Sequence, residues 1–137
     1  MGFDKFGTVS FTDESKAVDF VTYLEQGKVM ATRCKRCNTQ YFPPKMDCPN
    51  CLGDDIEWFQ IEDSGKLATY TEVNYGPTGF EEDTPYTLAI VDFEEGLRVF
   101  GRLSRSIKQA DIEIGMALKL AAMRLANGKI SYEFVKA

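Results

Sequence analysis

The placement of the cysteines limits this chain more than any other feature. All four lie between residues 34 and 51, as Cys34-Lys-Arg-Cys37, ten intervening residues, and Cys48-Pro-Asn-Cys51. Two residues between the members of a pair let both thiolates turn toward one point. Two such turns facing each other set four sulfurs at the corners of a tetrahedron, the geometry Zn²⁺ accepts. The flanking residues suit such knuckles: Pro49 presets φ, Gly53 follows the second pair, and Asn38 follows the first. Asn is the non-glycine residue that best tolerates a left-handed backbone. The expectation is a four-cysteine zinc ribbon with Cys34, Cys37, Cys48 and Cys51 as ligands. Four protein ligands leave no position for water or substrate, so the expected role of the ion is structural.

Other uses of the cysteines fit less well. Two disulfides need an oxidising compartment, and the start, Met-Gly-Phe-Asp-Lys, lacks the apolar core of an export signal. The expected compartment is the cytoplasm. A thioredoxin-like centre needs one Cys-x-x-Cys beside a βαβ unit, which the pattern does not offer. Iron in a four-thiolate site is not separated from zinc by the ligand set alone.

The chain has 137 residues, 44% hydrophobic and 27% charged, enough for one ordinary domain or a small core joined to a metal-stapled module. It contains no histidine. That removes the commonest general base and any Ser-His or Cys-His nucleophile, and the cysteines are already committed to metal. The net charge of −5 conceals a segregation. Lys28, Arg33, Lys35, Arg36 and Lys45 lie in a stretch without acids, whereas residues 54–95 carry twelve acids against Lys66 alone. A chain this acidic is a poor general binder of nucleic acid, although a local basic patch can hold one small polyanion.

Taken in order, the chain reads as an arm and helix (1–27), a zinc ribbon (28–55) and a β-barrel (56–137). Thr12 can cap a helix in which Ala17, Phe20, Val21 and Leu24 share one face and which Gly27 ends. So short a helix must dock, either on its own domain or on another subunit. Strands are expected at 29–33, 56–61, 66–75, 86–93, 97–103, 117–125 and 130–134. The 86–93 strand is expected to be buried on both faces, and Gly101 to mark a bulge or a close approach. Asn127-Gly128, followed by alternating Ile130-Ser-Tyr132-Glu-Phe134, argues for a hairpin rather than a helix over 117–125. Without long connecting helices, the strands after the ribbon are expected to close into a small barrel. Residues 76–85 form the one long loop, with Phe80 at its tip.

Several motifs together resemble one family. They are Arg33-Cys-Lys-Arg-Cys-Asn, Tyr41-Phe-Pro-Pro-Lys, Cys48-Pro-Asn-Cys, Gly65-Lys-Leu-Ala-Thr-Tyr-Thr-Glu-Val, Pro85-Tyr-Thr-Leu-Ala-Ile-Val-Asp and Ile114-Gly-Met. The family joins an N-terminal helical segment, a rubredoxin-like zinc ribbon and an OB-fold, and was formerly classed as a domain of unknown function. The resemblance covers roughly residues 13–135; Asn38 stands where the family usually has glycine. It implies a mainly β fold: a helix, a rubredoxin-like ribbon and a five-stranded OB-fold barrel. It also implies a partner, because members serve as non-catalytic small subunits of thiolase-fold enzymes acting on acyl-CoA, one of them in anaerobic aromatic degradation. The expected assembly is a hetero-oligomer, such as two plus two, with the nucleophilic cysteine in the large subunit. CoA phosphates want cations and pantetheine wants an apolar channel, so Arg33, Lys35, Arg36, Lys45 and Phe80 are candidate CoA or partner contacts. Two readings compete with an accessory subunit. One is a nucleic-acid-binding ribbon and OB module; the other is an iron-bearing electron carrier, coloured when oxidised.

Overall fold

The first regular element, α1 (Asp19–Glu25), turns Phe20, Val21 and Leu24 to one side and buries all three. Gly27, at φ +81, donates its N–H to Leu24 O at 2.9 Å, and Lys28 donates to Tyr23 O at 2.9 Å. This is a glycine-terminated Schellman end, as expected. A computed structural model describes residues 5–7, 17–76, 78, 85–125 and 127–137. The expected cap at Thr12 lies outside these residues. The helix docks on its own chain. Its buried face packs with Val29 and Ile130, against Phe6, Phe42, Trp58 and Tyr132. Among the described residues no helix is long and apolar enough to cross a membrane.

After α1, three strands build the ribbon: β1 (Met30–Cys34), β2 (Gln40–Tyr41) and β3 (Ile56–Gln60), ordered β2-β1-β3 and antiparallel. The strand at 56–60 was expected to open the barrel, but it pairs with β1 from Met30↔Gln60 to Cys34↔Ile56. The reason is local. The knuckles hold residue 51 beside Cys34, and Lys35 N–H already donates to Asp55 O at 2.9 Å. The next extended segment therefore meets the free edge of β1 first. Thr32 is fully buried on β1, and its hydroxyl accepts from Lys45 N–H and donates to Lys45 O, each at 2.9 Å. One threonine thus fastens the long inter-knuckle loop to the strand.

Five strands follow: β4 (Gly65–Val73), β5 (Tyr86–Asp92), β6 (Arg98–Arg102), β7 (Ala117–Arg124) and β8 (Ile130–Lys136). Their order is β6-β5-β4-β7-β8, all antiparallel. The 117–124 segment is a strand, and the Asn127-Gly128 turn joins it to β8 in register from Leu118↔Lys136 to Arg124↔Ile130. The sheet curls until its outer strands meet at one parallel bridge, Leu103↔Phe134, beside a 2.8 Å bond from Ser104 N–H to Phe134 O. The barrel is therefore partly open, where full closure was expected. β5 also departs from expectation. Ala89 and Val91 face the core, but Tyr86, Leu88 and Ile90 on the other side are only half-buried, because the outside of a barrel has no second layer.

Gly101 marks a close approach, not a bulge. A Cβ there would sit 2.9 Å from Tyr132 Cε2 and 3.0 Å from Phe134 Cε2, both rings from β8. The register irregularity instead falls in β4, between Leu67 and Thr69. Tyr132 lies where all the parts meet. Its ring lies edge-on to Phe42 of the ribbon at 5.1 Å and to Phe20 of α1 at 6.3 Å, and it stacks on Phe6 of the arm at 6.4 Å. Its hydroxyl donates to Phe100 O on β6 at 2.8 Å. Phe42 packs against both hydrophobic clusters, so ribbon and barrel share a core.

Burial pushes the Tyr132 phenol up to about 12. The raised value means that the folded state holds the proton more tightly than the unfolded chain, whose tyrosines titrate near 10. Stability from this group is full below pH ~10 and is lost as pH rises toward about 12, by on the order of 2 kcal/mol. Tyr132→Phe is expected to flatten that alkaline decline while lowering neutral stability by roughly 1 kcal/mol, since Phe100 O loses its donor. Urea unfolding of both proteins at neutral and alkaline pH measures the two effects.

Candidate metal centre and ribbon surface

Each knuckle is a tight turn with the same backbone solution. Asn38 N–H donates to Cys34 O at 2.8 Å and Leu52 N–H to Cys48 O at 2.8 Å, with both residues at φ 62. β1 ends on Cys34, Cys34 N–H is held by Thr39 O at 3.0 Å, and Cys48 N–H by Gly53 O at 2.8 Å. The four Sγ atoms consequently lie within 4.8 Å of one another. The Cys34–Cys51 and Cys37–Cys48 separations are each 3.5 Å. A tetrahedral ion with Zn–S bonds near 2.3 Å needs sulfurs about 3.8 Å apart, so the donor set fits zinc closely. Cys34 and Cys48 are buried, and Cys37 and Cys51 partly so.

Hydrogen bonds favour the thiolate at two of the sulfurs, Cys37 and Cys48. Thr39 Oγ1 lies 3.2 Å from Cys37 Sγ and Tyr41 Oη 3.2 Å from Cys48 Sγ. The Thr39 hydroxyl, helped by Asn50, holds the Cys37 thiol down at about 5. The Tyr41 hydroxyl lowers Cys48, and the same bond raises Tyr41 to about 12. At Cys51 the Gly53 amide lowers the thiol, but the bond with Cys34, desolvation and the other sulfurs outweigh it and push it up to about 11. Four sulfurs crowd this space, and a divalent cation would let all of them be held together as thiolates. Zinc held here by four cysteines clamps the knuckles together and leaves no ligand position open for a reaction.

The basic residues of the ribbon divide into separate groups. Arg33 is held on β1, with Nε 2.9 Å from Glu57 Oε1 and its guanidinium 4.9 Å above the Phe59 ring. It lines a pocket with Gln40, Glu62, Asp63, Glu94 and Glu95, an acidic setting. Lys35 Nζ lies 3.7 Å from Asp55 Oδ1. Arg36 and Lys45 do come together, on an open groove over the second knuckle with Met46, Pro49 and Leu52. Lys45 also stands 5.2 Å over the Tyr41 ring. Phe80 lies outside the described residues. Sequence reading missed Leu52, which is 88% exposed on this groove. It also missed Glu57 as the partner of Arg33, which depends on the β1–β3 register.

A zinc ribbon packed on a partly open OB-fold barrel defines the class. The ribbon matches the family model described as "ChsH2, rubredoxin-like zinc ribbon domain" over residues 22–57, and the barrel matches "ChsH2, C-terminal OB-fold domain" over 58–123. The chain belongs to this ChsH2, or DUF35, family. A DUF35 domain-containing scaffold protein of Methanocaldococcus jannaschii is 34% identical over 111 residues, 77% of this chain and 78% of that protein. Benzoylsuccinyl-CoA thiolase subunit BbsA of Geobacter metallireducens is 33% identical over 107 residues, 76% of this chain and 71% of that protein. A chain of a solved structure described as "Ltp2-ChsH2(DUF35) aldolase" superposes with a TM-score of 0.73 at 25% identity, covering 90% of this chain and 97% of that one.

Cys48→Ala removes one of the two buried ligands and the sulfur that Tyr41 supports. It is expected to abolish zinc binding and to lose hydrogen-exchange protection through residues 30–60 first. Zinc retention by the intact protein should also fall as pH drops from about 7 toward 5, because protons compete with the ion for each thiolate. Metal analysis after buffer exchange and exchange mass spectrometry read both outcomes.

Proposed function

We propose that this chain is the non-catalytic accessory subunit of a thiolase-fold enzyme that makes or breaks carbon–carbon bonds in acyl-CoA compounds. The observation that carries this reading is the match over nearly the full length of both chains to a chain of the Ltp2-ChsH2(DUF35) aldolase, joined by kinship to BbsA. The chemistry of this chain agrees with it. It has no histidine, and its four cysteines converge on one metal site, so the usual nucleophiles and bases belong to a partner. The partner is a thiolase-fold catalytic subunit in a hetero-oligomer, such as two plus two. Identity to BbsA at 33% and to the archaeal scaffold protein at 34% is alike, so the reading is drawn at the class of acyl-CoA chemistry. Benzoylsuccinyl-CoA thiolysis is the first reaction to assay.

Within that reading the ribbon helps to hold CoA. Arg36 and Lys45 suit its phosphates, while Arg33 is better described as a strand-fastening residue. A nucleic-acid module finds less support: Glu62, Asp63, Glu94 and Glu95 line the pocket that also holds Phe59, and they repel phosphates.

The test is a tagged purification from the native host, followed by acyl-CoA thiolysis assays and zinc analysis. A co-purifying thiolase-sized subunit that loses activity when this chain is removed is the expected result; a lone zinc-loaded chain with no partner overturns the reading. In the assembled enzyme, Arg36→Glu with Lys45→Glu should raise KM for CoA at low salt by about fivefold per charge, less at high salt, since exposed cations contribute about 1 kcal/mol or less each. An intact complex with unchanged KM removes the ribbon from CoA binding.

A further inference from the structure

The two knuckles share a backbone but not a side chain at their strained position. Asn38 and Leu52 both stand at φ 62, and each donates its N–H at 2.8 Å to the carbonyl of the first cysteine of its own pair. That conformation crowds Cβ against the following carbonyl, and Asn or Gly relieves it while leucine does not. Leucine can compensate for strain by burying its side chain, but Leu52 is 88% exposed. Its side chain therefore stabilises neither the turn nor the core. Strain and exposure are independent observations, and together they indicate a residue kept for something outside the chain.

We infer that Leu52 is a docking knob: the second knuckle presents it to an apolar socket on the thiolase-fold catalytic subunit. This rests on the accessory-subunit reading above. The surroundings fit such a contact. Met46 and Pro49 extend the apolar surface along the same groove, and Arg36 and Lys45 stand at its margin beside Asp47 and Asp54. An apolar centre with a charged margin is the arrangement of a protein interface. The metal gives the knob its rigidity, because Cys51 precedes Leu52 directly and Cys48 supplies its hydrogen-bond acceptor. With the backbone clamped, only the side-chain rotamers remain to be fixed on binding. The solved relative that covers 90% of this chain is itself described as an aldolase formed with Ltp2, which makes a catalytic subunit the occupant to commit to.

The knob and a merely structural leucine predict opposite behaviour for Leu52→Gly. Glycine adopts the φ 62 backbone without strain, so zinc retention and Tm of the isolated chain should hold or rise. Affinity for the catalytic subunit, separated from the native complex and rebound, should fall about tenfold or more, as when an interface anchor is truncated. Leu52→Met, which keeps an apolar side chain of similar size, should stay within about threefold of the parent. Equal affinity for the glycine variant overturns the inference, as does loss of zinc or of Tm in that variant. Loss of self-association by the isolated chain, with partner affinity intact, also overturns it by making a second copy the occupant. Failure of the unaltered protein to bind any thiolase-fold subunit defeats the accessory-subunit reading itself.

Discussion

Convergence of four sulfurs within 4.8 Å is the constraint on which the first half of the structure depends. The ribbon's sheet has strands of five, two and five residues, too little to bury a core independently. Metal ligation replaces that missing core. It also decides the pairing of the strands, since tying residue 51 beside Cys34 delivers β3 to the free edge of β1. The Thr39 and Tyr41 hydroxyls then act from outside the ligand set, each hydrogen-bonding one sulfur.

Clamped in this way, the ribbon becomes part of a larger rigid body through aromatic contacts. Phe42 inserts between Phe20 of α1 and Tyr132 of β8, at ring separations of 5.8 and 5.1 Å. Gly101 makes room for the Tyr132 and Phe134 rings, and Tyr132 in turn satisfies the carbonyl of Phe100 on β6. Arm, helix, ribbon and barrel all touch one tyrosine. This packing fixes how the ribbon surface is presented, which is what the accessory-subunit reading proposed above requires.

Much of this was legible beforehand, for reasons of short range. The cysteine spacing named the ligands, Gly27 named the end of α1, and Asn127-Gly128 chose strand over helix for 117–124. Each depends on a few adjacent residues. The readings that needed correction depend on what a segment meets across space. The 56–60 strand looks like any other β run, and only the geometry of the knuckles sends it to the ribbon. The apolar run of β5 suggested two buried faces, but the outside of a barrel buries one. Arg33, Lys35, Arg36 and Lys45 read as one basic patch, whereas alternation along β1 and the β1–β3 register give Arg33 to Glu57 and leave Arg36 with Lys45.

By itself, then, the sequence determined a four-thiolate metal site, a β-rich chain ending in a hairpin, and the lack of a histidine on which to build common acid–base catalysis. These follow from residue type and local spacing, which act before any long-range contact forms. Tertiary structure alone decided that the outer strands of the barrel meet at the single bridge Leu103↔Phe134, that Phe42 belongs to two cores, and that Leu52 stands exposed at φ 62. Those outcomes depend on which surfaces exclude water together, and a linear pattern of apolar residues says how much will be buried without saying against what.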